Sequence, residues 1–580
     1  MLARLRFVDD PVARLPTIWR KANAALLAGV AAIGLAQAAL SITLTLGMAR
    51  GFDLVMDATA AHAPIIAAVG LGFILFGSVS GVVRYGERAL SERLGQHHIH
   101  RVRLTLWDHL QRLPAALITG QRRGATVLRF LGDLTTLKVW VSRGLVSSAI
   151  AGLTLLGGVT AMALLSWKLA TGILVVLVLA LSLQARWSRV VGWRVRELRR
   201  KRSRLATDVV ERISCLSVVQ ATNQGKRERR RLRRKSEDLV RASVQAASAS
   251  GILLGSSEFA SVALMGTALV IGAVEVESGV LTPGAMVASL LLARHLGRPV
   301  RRLSRTQEQW VRAGVARRKL EQFLALDPIA EPAKAVSLKK GGGAIRLKDV
   351  ACGPVLVRVS GRAGPGDRIR MVGANGSGKS TFLRLLAGLE RPQTGKVGLD
   401  GRDLSRCSLE TIRSAVALVG PDLPLMRGSL RRNLTYGRPN ATESEISEVL
   451  EICDLDDFIQ SLPEGLRTRI ADGGLSLSAG QRHRIQLARA LLMQPRVLLL
   501  DEADCFLDER GRRAIRRVID SFRGTVVFVW NGSGAPPATA SWRLSNGKVT
   551  IEPGAGPIEK AKMSRDAPWG SEAFTTERQP

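Results

Sequence analysis

The order of hydrophobic and polar positions divides the chain into two parts. In the first part, long apolar runs alternate with polar, mostly basic segments. Each run is about long enough to cross the hydrocarbon core of a bilayer as a helix, although the fourth is short and the sixth ends among basic residues. We predict six membrane spans, at about residues 24–49, 64–83, 145–167, 169–184, 251–274 and 281–297.

The charges between the apolar runs predict how the chain is oriented. The connections at 51–63 and 275–280 carry acidic residues and no Lys or Arg, whereas 84–144 and 186–250 are strongly basic. Because cytoplasmic loops of membrane proteins carry the excess of positive charge, we expect the basic segments in the cytoplasm. The chain is thus predicted to be an integral protein of a bacterial inner (cell) membrane, with a cytoplasmic N-terminus.

Composition changes along the chain predict the domain boundaries. A stretch rich in Pro, Ala and Gly follows the last helical segment and has the character of a linker. The end of the chain is rich in Gly, Pro and charge, which is typical of disorder. We predict a cytoplasmic N-terminal arm at 1–20, a transmembrane domain at 21–325, a linker at 326–343, a cytoplasmic α/β domain at 344–550 and a disordered tail at 551–580.

The excess of positive charge is compatible with two kinds of partner. The formal net charge is +36, and residues 185–250 hold nineteen Lys or Arg against six acidic residues. Such charge is typical of proteins that bind nucleic acid or an anionic membrane surface. Since this stretch lies between two apolar runs, the positive-inside rule accounts for it, and we predict no nucleic-acid partner. For the run Lys226–Lys235, membrane lipid is favoured over RNA.

The residues Gly373-Ala-Asn-Gly-Ser-Gly-Lys-Ser380 match every fixed position of the phosphate-binding loop G-x-x-x-x-G-K-[ST]. A β-type run precedes them and a helix-type run follows. The glycines allow backbone N–H groups to turn toward phosphate oxygens, and the helix N-terminus adds its dipole. Lys379 is expected to reach the β- and γ-phosphates of ATP. The predicted nucleotide-binding residues are Gly373, Ala374, Asn375, Gly376, Ser377, Gly378, Lys379, Ser380 and Thr381.

Two carboxylates follow an apolar, strand-like run at Val497–Leu500. In phosphate-loop enzymes the first such carboxylate holds Mg²⁺ through water, and the second orients or deprotonates the attacking water. We assign these roles to Asp501 and Glu502, with Ser380 as a further Mg²⁺ ligand. The expected cofactors are therefore ATP and Mg²⁺, and Glu502 is the predicted catalytic residue.

Between these motifs, LSAGQRHRIQLARALLMQPRVLLLDEA resembles the signature helix and Walker B strand of ABC transporters, with Ala479 where Gly is usual. The stretch GSLRRNLTYGRPNATESEISEVL resembles the helical subdomain of ABC exporters. In the first part of the chain, ERISCLSVVQATNQGKRERR resembles their second cytoplasmic loop and its coupling helix. The resemblance covers roughly residues 20–550.

The resemblance implies an all-α, six-helix exporter domain in the membrane joined to an α/β P-loop NTPase of the ABC type. It further implies a dimer with a second ABC half-transporter, in which each ATP lies between one chain's phosphate-binding loop and the other chain's signature. Here Asp508 would end the D-loop, and Ser478 and Gly480 would contact the partner's γ-phosphate. The implied activity is ATP hydrolysis that drives export or flipping of an unidentified substrate. The signature comprises Leu477, Ser478, Ala479, Gly480 and Gln481.

Three positions depart from the family's pattern. Pro421 stands where the alignment places the glutamine that joins Mg²⁺ to the coupling surface, and proline has no side-chain donor or acceptor. Asn531 replaces the switch histidine and cannot carry a proton as imidazole does. The aromatic residue that stacks on adenine, expected before Pro354, is missing. The chain's own ATP site is therefore expected to hydrolyse slowly.

These departures leave two assemblies open, a homodimer that turns over slowly and a heterodimer in which this chain supplies the degenerate site. An alternative function is that of an ATP-binding but non-hydrolysing regulatory or channel-like membrane protein. The missing switch residues favour this alternative, and the retained Glu502 opposes it. A nucleic-acid-associated ABC ATPase without transport is opposed by the apolar runs.

Two charged residues fall inside the predicted spans, Glu258 in the fifth and Arg294 at a comparable depth in the sixth. Charged side chains inside a bilayer are costly and often functional. They form a candidate intramembrane site, either as a buried structural pair or with Glu258 binding a cationic substrate. The structural pair is the favoured interpretation.

Overall fold

The computed structural model describes residues 15–19, 23–56, 63–118, 126–329, 332, 334–474, 476–504, 507 and 509–554. The chain divides into two compact units, one of residues 1–111 and 120–326 and the other of 112–119 and 327–580. The described part of the first unit is helical, and the second combines strands with helices. This confirms the predicted fold class, a helical membrane domain followed by an α/β domain.

The first unit consists of long helices, and several of the apolar runs continue into basic segments without a break. Helices of 50, 48 and 53 residues join the second, fourth and fifth runs to their polar extensions. The helices are α1 (Ala24–Met56), α2 (Ala63–Arg112), α3 (Thr126–Leu165), α4 (Trp167–Ser214), α5 (Leu216–Ala221), α6 (Gly225–Glu277) and α7 (Pro283–Leu324).

The helix ends follow from local chemistry. Between α3 and α4 the chain turns at Ser166, whose backbone is extended and whose hydroxyl accepts a hydrogen bond from the N–H of Lys168. The turn therefore falls at Ser166, two residues before the gap between the predicted spans 145–167 and 169–184. Thr282 caps α7 in the same way through the N–H of Ala285, and Pro283 occupies its first position.

Among the described residues, five helices are long and apolar enough to cross a membrane, namely α1, α2 from Ala67, α3, α4 and α6. The sixth predicted span corresponds to the first part of α7. That part contains the basic residue Arg294, and Arg298 and Pro299 follow directly after it inside the helix. The sixth span is not among the five and remains a prediction.

Small residues bring the helices of the first unit close together. A side-chain carbon at Gly157 in α3 would lie 2.7 Å from the Cβ and 2.9 Å from the Cα of Ala38 in α1. Interfaces of small residues are typical of helices that pack within membranes. At one end of the bundle, the buried carboxylate of Glu275 accepts a hydrogen bond from Ser166 (2.8 Å) and pairs with Lys168 (2.7 Å). These contacts fix the α3–α4 turn to the end of α6.

The second unit contains a six-stranded sheet, a four-stranded sheet and a two-stranded ribbon among its described residues. Its strands are β1 (Ile345–Cys352), β2 (Leu356–Ala363), β3 (Arg368–Val372), β4 (Thr394–Leu399), β5 (Arg402–Asp403), β6 (Val416–Val419), β7 (Gly428–Ser429), β8 (Arg469–Ile470), β9 (Val497–Leu500), β10 (Thr525–Val529), β11 (Ala540–Ser545) and β12 (Lys548–Pro553). Its α-helices are α8 (Lys379–Leu386), α9 (Leu409–Ala415), α10 (Leu430–Leu434), α11 (Glu443–Ile452), α12 (Asp456–Gln460), α13 (Ala479–Leu492) and α14 (Glu509–Ser521).

The six-stranded sheet has the order β12-β11-β3-β10-β9-β6. All neighbours except β11 and β12 are parallel, with Phe528 of β10 opposite Leu500 of β9 and Leu500 opposite Val419 of β6. The carboxyl ends of parallel strands share one edge of a sheet, where open α/β sheets bind ligands. The loops that follow β3, β6, β9 and β10 therefore meet at this edge.

The end of the chain differs from the prediction by a few residues. Strand β12 reaches Pro553, so the first residues of the predicted tail at 551–580 belong to the sheet. They pair with β11 through contacts such as Trp542 opposite Ile551. The remainder of the predicted tail, from 555 onward, lies outside the described residues.

Candidate nucleotide-binding site

The phosphate-binding loop lies between β3 and α8. Gly376 and Gly378 have φ angles of +80° and +105°, which side chains rarely permit, and Gly378 is the N-cap of α8. The Nζ of Lys379 donates to the carbonyls of Gly373 (2.7 Å) and Ala374 (3.0 Å). The loop thus combines an ammonium group with the free N–H groups of a helix N-terminus, which suits phosphate.

The other predicted residues of the loop have different surroundings. Asn375 is exposed. The buried hydroxyl of Ser377 has no hydrogen-bond partner among the described residues. The hydroxyl of Thr381 accepts a hydrogen bond from Arg384 (3.4 Å), so Thr381 contacts the side chains around the loop.

The two predicted carboxylates follow β9, a strand that is buried throughout. The N–H of Asp501 donates to the carbonyl of Val419 (2.8 Å) and continues the ladder between β9 and β6. Glu502 has a φ of +50°, an uncommon value for a residue with a side chain. This left-handed residue turns the chain away from the sheet directly after Asp501.

Asp501 has the surroundings of a cation ligand. Its residue is 9% exposed, and its Oδ1 has no hydrogen-bond partner among the described residues. Burial raises the pKa of the Asp501 carboxyl above its usual range, and the hydroxyl of Ser380 opposes that rise. A buried carboxylate is costly without a compensating positive charge. A carboxylate and a hydroxyl are oxygen ligands of the kind that Mg²⁺ takes, so the residues present fit this cation.

A third carboxylate fixes the loop that carries Asn531. We call residues 530–534, which follow β10, the switch loop. Both oxygens of Asp504 lie 3.0 Å from the N–H of Asn531, and one of them also accepts the N–H of Gly532. At the far end of the loop, the guanidinium of Arg516 donates to the carbonyl of Gly534 (2.6 Å). The Asn531 side chain is exposed, and its backbone is held in place by Asp504.

Pro421 lies at the same edge of the sheet, in a turn closed by the N–H of Leu423 and the carbonyl of Gly420. A Cβ at Gly420 would be 3.0 Å from the Cβ of Asp501, so the backbone before Pro421 packs directly on that carboxylate residue. The next residue, Asp422, forms an ion pair with Arg384 of α8 (3.1 Å). The turn is thus beside the predicted Mg²⁺ ligand, and the proline ring offers it no polar atom.

The hairpin between β1 and β2 is short at the position where an adenine-stacking residue was expected. Cys352 pairs with Leu356, which leaves only Gly353, Pro354 and Val355 in the turn. The Cys352 thiol is buried and donates toward Glu390 (3.5 Å). No aromatic side chain is present in this described turn.

The signature residues form the start of α13. The hydroxyl of Ser478 accepts the N–H of Gln481 (3.1 Å), and the Gln481 side chain accepts the N–H of Ser478 (2.9 Å), so that the two form a capping box. Ala479 and Gly480 occupy the first two helical positions, and Leu477 precedes the cap. This helix terminus is separate from the phosphate-binding loop in sequence and in the elements that build it. Asp508, the predicted end of the D-loop, lies outside the described residues.

The structure corrects the interpretation of the two charged residues in the predicted spans. Glu258 pairs with Arg301 (2.6 Å) and not with Arg294, and its side chain is 67% exposed. The carboxylate is therefore not buried within this chain. Arg294, seven residues earlier in α7, is exposed. The difference arises from the packing of α6 against α7. This packing places Glu258 beside Arg301, seven residues further along α7 than Arg294.

The basic run Lys226–Lys235 lies at the start of α6, whereas the predicted span in that helix begins at residue 251. At 1.5 Å per residue, Lys235 is about 24 Å from that point along the helix axis. Charge interactions in physiological salt decay over about 8 Å. The distance therefore argues against the predicted contact of this run with lipid headgroups.

The sequence pointed to the carboxylates at 501 and 502 but not to Asp504. The available signal in the sequence was a third acidic residue two positions after Glu502. Its role depends on the parallel pairing of β10 with β9, which brings residues 27 positions apart into hydrogen bonding. Arg384 was missed for a similar reason, since its partners Glu390 and Asp422 come together only in the fold.

Two family models match the chain in succession. The model described as "ABC transporter transmembrane region" matches residues 27–300, and the model described as "ABC transporter" matches residues 356–504. The second match includes the phosphate-binding loop, the signature, Asp501 and Glu502.

Relatives and a solved structure agree with these matches. An "ATP-dependent lipid A-core flippase" of Thiobacillus denitrificans is 27% identical over 513 residues, which are 85% of this chain and 86% of that protein. A "Fatty acid ABC transporter ATP-binding/permease protein" of Mycobacterium tuberculosis is 28% identical over 434 residues, covering 73% and 68%. A bacterial Atm1-family ABC exporter, solved with ATP bound, has a TM-score of 0.80 at 22% identity and covers 91% of this chain and 95% of its own.

Proposed function

Because the chain belongs to the ABC transporter family, as a half-transporter that joins a transmembrane region to an ATP-binding domain, we propose that two such halves use ATP to move a lipid-like substrate across a bacterial inner membrane. The ATP-driven export activity follows from the family. The lipid-like substrate is supported by relatives that are named for lipid A-core and fatty acids. The basic extensions of the long helices support a cytoplasmic ATP-binding domain.

The observation that carries the proposal is the meeting of the phosphate-binding loop and the two carboxylates at one edge of the parallel sheet. We assign Lys379 and the backbone of 373–381 to the phosphates of ATP. Glu502, which follows Asp501 in a left-handed turn, is assigned to orient the attacking water and accept its proton. Positioning and electrostatic stabilisation account for most of the catalysis of phosphoryl transfer, and these residues supply both.

Asp501 and Ser380 are the residues that would hold Mg²⁺. When bound, the cation neutralises charge that develops on the phosphate oxygens. The orphaned Oδ1 of Asp501 and its raised pKa support this assignment, because the nearby charges of Arg384 and Lys379 do not fully offset the burial of this carboxylate. The Pro421 side chain beside Asp501 cannot supply a further polar ligand.

We further propose that this chain acts in a heterodimer, in which its signature completes the partner's ATP site. The capping box at Ser478 keeps the N–H groups of the α13 terminus oriented, which suits contact with a γ-phosphate held by the partner. The chain's own site carries Pro421 and Asn531 and lacks an adenine-stacking residue, so it would bind ATP and turn over rarely. The retained Glu502 opposes the alternative of a purely regulatory or channel-like protein.

The test is the Mg²⁺-dependent ATPase activity of the purified chain alone in lipid nanodiscs, compared with Glu502→Gln and with Glu509→Gln. Glu509 is an exposed residue at the start of α14, so its substitution controls for the loss of one carboxylate. Little turnover with ATP still bound, and recovery of a second, different half-transporter with the chain, would support the heterodimer. Brisk turnover that Glu502→Gln abolishes and Glu509→Gln preserves would show a self-sufficient homodimer. Failure to bind ATP would contradict the proposed site.

A further inference from the structure

The first unit contains an arginine-lined cavity of about 390 Å³ between α2, α3 and α7. Hydroxyl and amide side chains complete its walls. No lysine lines it, so the positive charge comes from guanidinium groups, which bind phosphate and carboxylate through paired N–H donors. We call it the arginine cavity. Its charged residues are Arg84, Arg88, Arg143, Arg302, Arg305 and Glu87.

The charges in the arginine cavity do not balance. Five guanidinium groups face a single lining carboxylate, that of Glu87. One oxygen of Glu87 lies 3.1 Å from Arg302, and the other accepts a hydrogen bond from the Gln37 amide at 2.7 Å. Glu87 is therefore already engaged by α7 and α1. The cavity keeps a net charge of +4 by this count of lining residues, and a concave site of one sign concentrates anions of the other.

The arginine cavity lies at one end of the predicted spans. Arg84 directly follows the second span at 64–83, and Arg143 precedes the third at 145–167. Arg302 and Arg305 follow the sixth by a few residues. Lipid headgroups occupy this depth, and basic pockets between helices at the cytoplasmic side suit anionic headgroups.

The local backbone contributes to the position of Arg143. Residues Trp140–Leu145 form a π-helical stretch within α3, and the Trp140 ring packs edge-on against Trp310 of α7 (4.8 Å between centroids). Such stretches add a residue to one helical turn and are frequent at functional sites. Arg143 lies in this wider turn and lines the cavity wall.

A narrow cleft of about 60 Å³ shares Arg84 with the arginine cavity and lies on its membrane side, mainly between α1 and α2, with Thr154 of α3 and His295 of α7 also in its lining. Leu40, Leu44 and Phe76 form the apolar part of its wall, and hydroxyl, amide and imidazole groups form the rest. The molecule that fits both features carries an anionic group at one end and an apolar portion that follows the cleft toward the bilayer.

We propose that the arginine cavity is the entry site for the headgroup of the transported molecule, and that this molecule is an anionic amphiphile with a phosphate or carboxylate headgroup. The assignment rests on the proposed transport function and narrows its substrate class. It also predicts that a zwitterionic lipid with the same chains is rejected, because its quaternary ammonium would be placed among guanidinium groups.

The test measures binding without ATP, so that its result is independent of whether the chain hydrolyses ATP. The full chain in detergent micelles is titrated into a phosphatidic acid with a fluorophore at the acyl end, and anisotropy is recorded. Unlabelled phosphatidic acid, phosphatidylcholine with the same chains, and glycerol 3-phosphate are the competitors. We expect phosphatidic acid to compete, phosphatidylcholine not to compete, and glycerol 3-phosphate to need about 100-fold higher concentration because it lacks the chains.

Matched variants locate the binding. The triple substitution Arg84→Gln, Arg88→Gln and Arg143→Gln should weaken binding about 100-fold. The same three positions changed to Lys keep the charge and should retain binding within about tenfold. A control with equal charge loss outside the cavity changes three exposed arginines of α6 to Gln and should bind as the unaltered chain does. The control positions are Arg229, Arg230 and Arg234.

Several outcomes would overturn the assignment. If the Gln triple weakens binding less than about threefold, the arginine cavity is not the binding site. Equal weakening in the α6 control would lead to the same conclusion. Loss of binding in both the Gln and the Lys triple would exclude an electrostatic site. Equal competition by phosphatidylcholine would exclude the anionic headgroup, and equal competition by glycerol 3-phosphate would exclude the amphiphile. None of these results bears on ATP turnover, which is measured separately.

Discussion

Replacement of Asp504 by alanine removes the acceptor that holds the switch loop at residues 530–534. The carboxylate of Asp504 accepts the N–H groups of Asn531 and Gly532, and the residue is only 9% exposed. Removal of a hydrogen bond to a charged group costs about 1.5–3 kcal/mol of stability. Alanine also relieves the cost of burying the carboxylate, so the net effect is smaller than the sum of two such bonds.

We estimate the net loss at about 2–3 kcal/mol for local opening of the loop. Since 1.36 kcal/mol corresponds to a tenfold change, amide hydrogen exchange at Asn531 and Gly532 should be about 30- to 160-fold faster. Asp504→Asn keeps one oxygen as a neutral acceptor and should give a smaller increase. Arg516 continues to hold Gly534, so the far end of the loop should change less.

The assay is hydrogen–deuterium exchange followed by mass spectrometry on peptides that contain residues 529–535, with the full chain in nanodiscs. Peptides from α11 serve as an internal reference, because α11 is distant from the switch loop in sequence and no hydrogen bond between the two is found among the described residues. If exchange at 531 and 532 is unchanged in Asp504→Ala, the carboxylate does not hold the loop. Equal acceleration in the α11 peptides would indicate general destabilisation and would also refute the local reasoning.

Three further predictions follow from other contacts. Pro421→Gln combined with Asn531→His should raise the ATPase rate about tenfold or more, because it restores a polar ligand and a proton-carrying group; an unchanged rate would show that other features limit turnover. Gly157→Val should destabilise the first unit by about 1–3 kcal/mol, because its Cβ would meet the backbone of Ala38, whereas Gly152→Val, with no atom within 4 Å, should leave the thermal midpoint nearly unchanged. Burial lowers the pKa of His483 from 6.5 to about 4, so the unfolded chain binds more protons in that window and stability falls as the pH drops through it. Between pH 6.5 and pH 5 this group should lower the free energy of unfolding by about 1.5 kcal/mol, and chemical denaturation of His483→Gln at the two pH values should not show that decrease.

The phosphate-binding loop and its carboxylates could be predicted because each is a contiguous motif. Their chemistry depends on residues a few positions apart, and the strand and helix around them have strong local patterns. The β3–loop–α8 unit accordingly occurs where the sequence predicted it. The membrane-spanning parts of the long helices were predicted for the same reason, since an apolar run is a local property.

The contacts that the sequence did not predict all join distant residues. Asp504 reaches the switch loop through the pairing of β9 with β10, and Glu258 meets Arg301 through the packing of α6 against α7. The positions of Glu258 and Arg294 within their predicted spans suggested that the two lie close together. Packing sets the tilt and rotation of each helix, however, and these cannot be obtained by counting residues from a span boundary. Arg84 and Arg143 were read only as orientation signals, because their shared cavity exists only once α2 and α3 are assembled.

The uninterrupted length of α6 has a mechanical consequence. Its 53 residues extend for about 80 Å, and no proline interrupts them. Helix α4 packs along α6, so the two behave as a stiff beam, whereas α7 contains Pro299 and can bend there. A tilt of about 5° at one end of an 80 Å beam displaces the other end by about 7 Å. A small rotation at the α4–α5–α6 tip is therefore converted into a displacement as wide as a lipid headgroup at the opposite end, without any hinge in between.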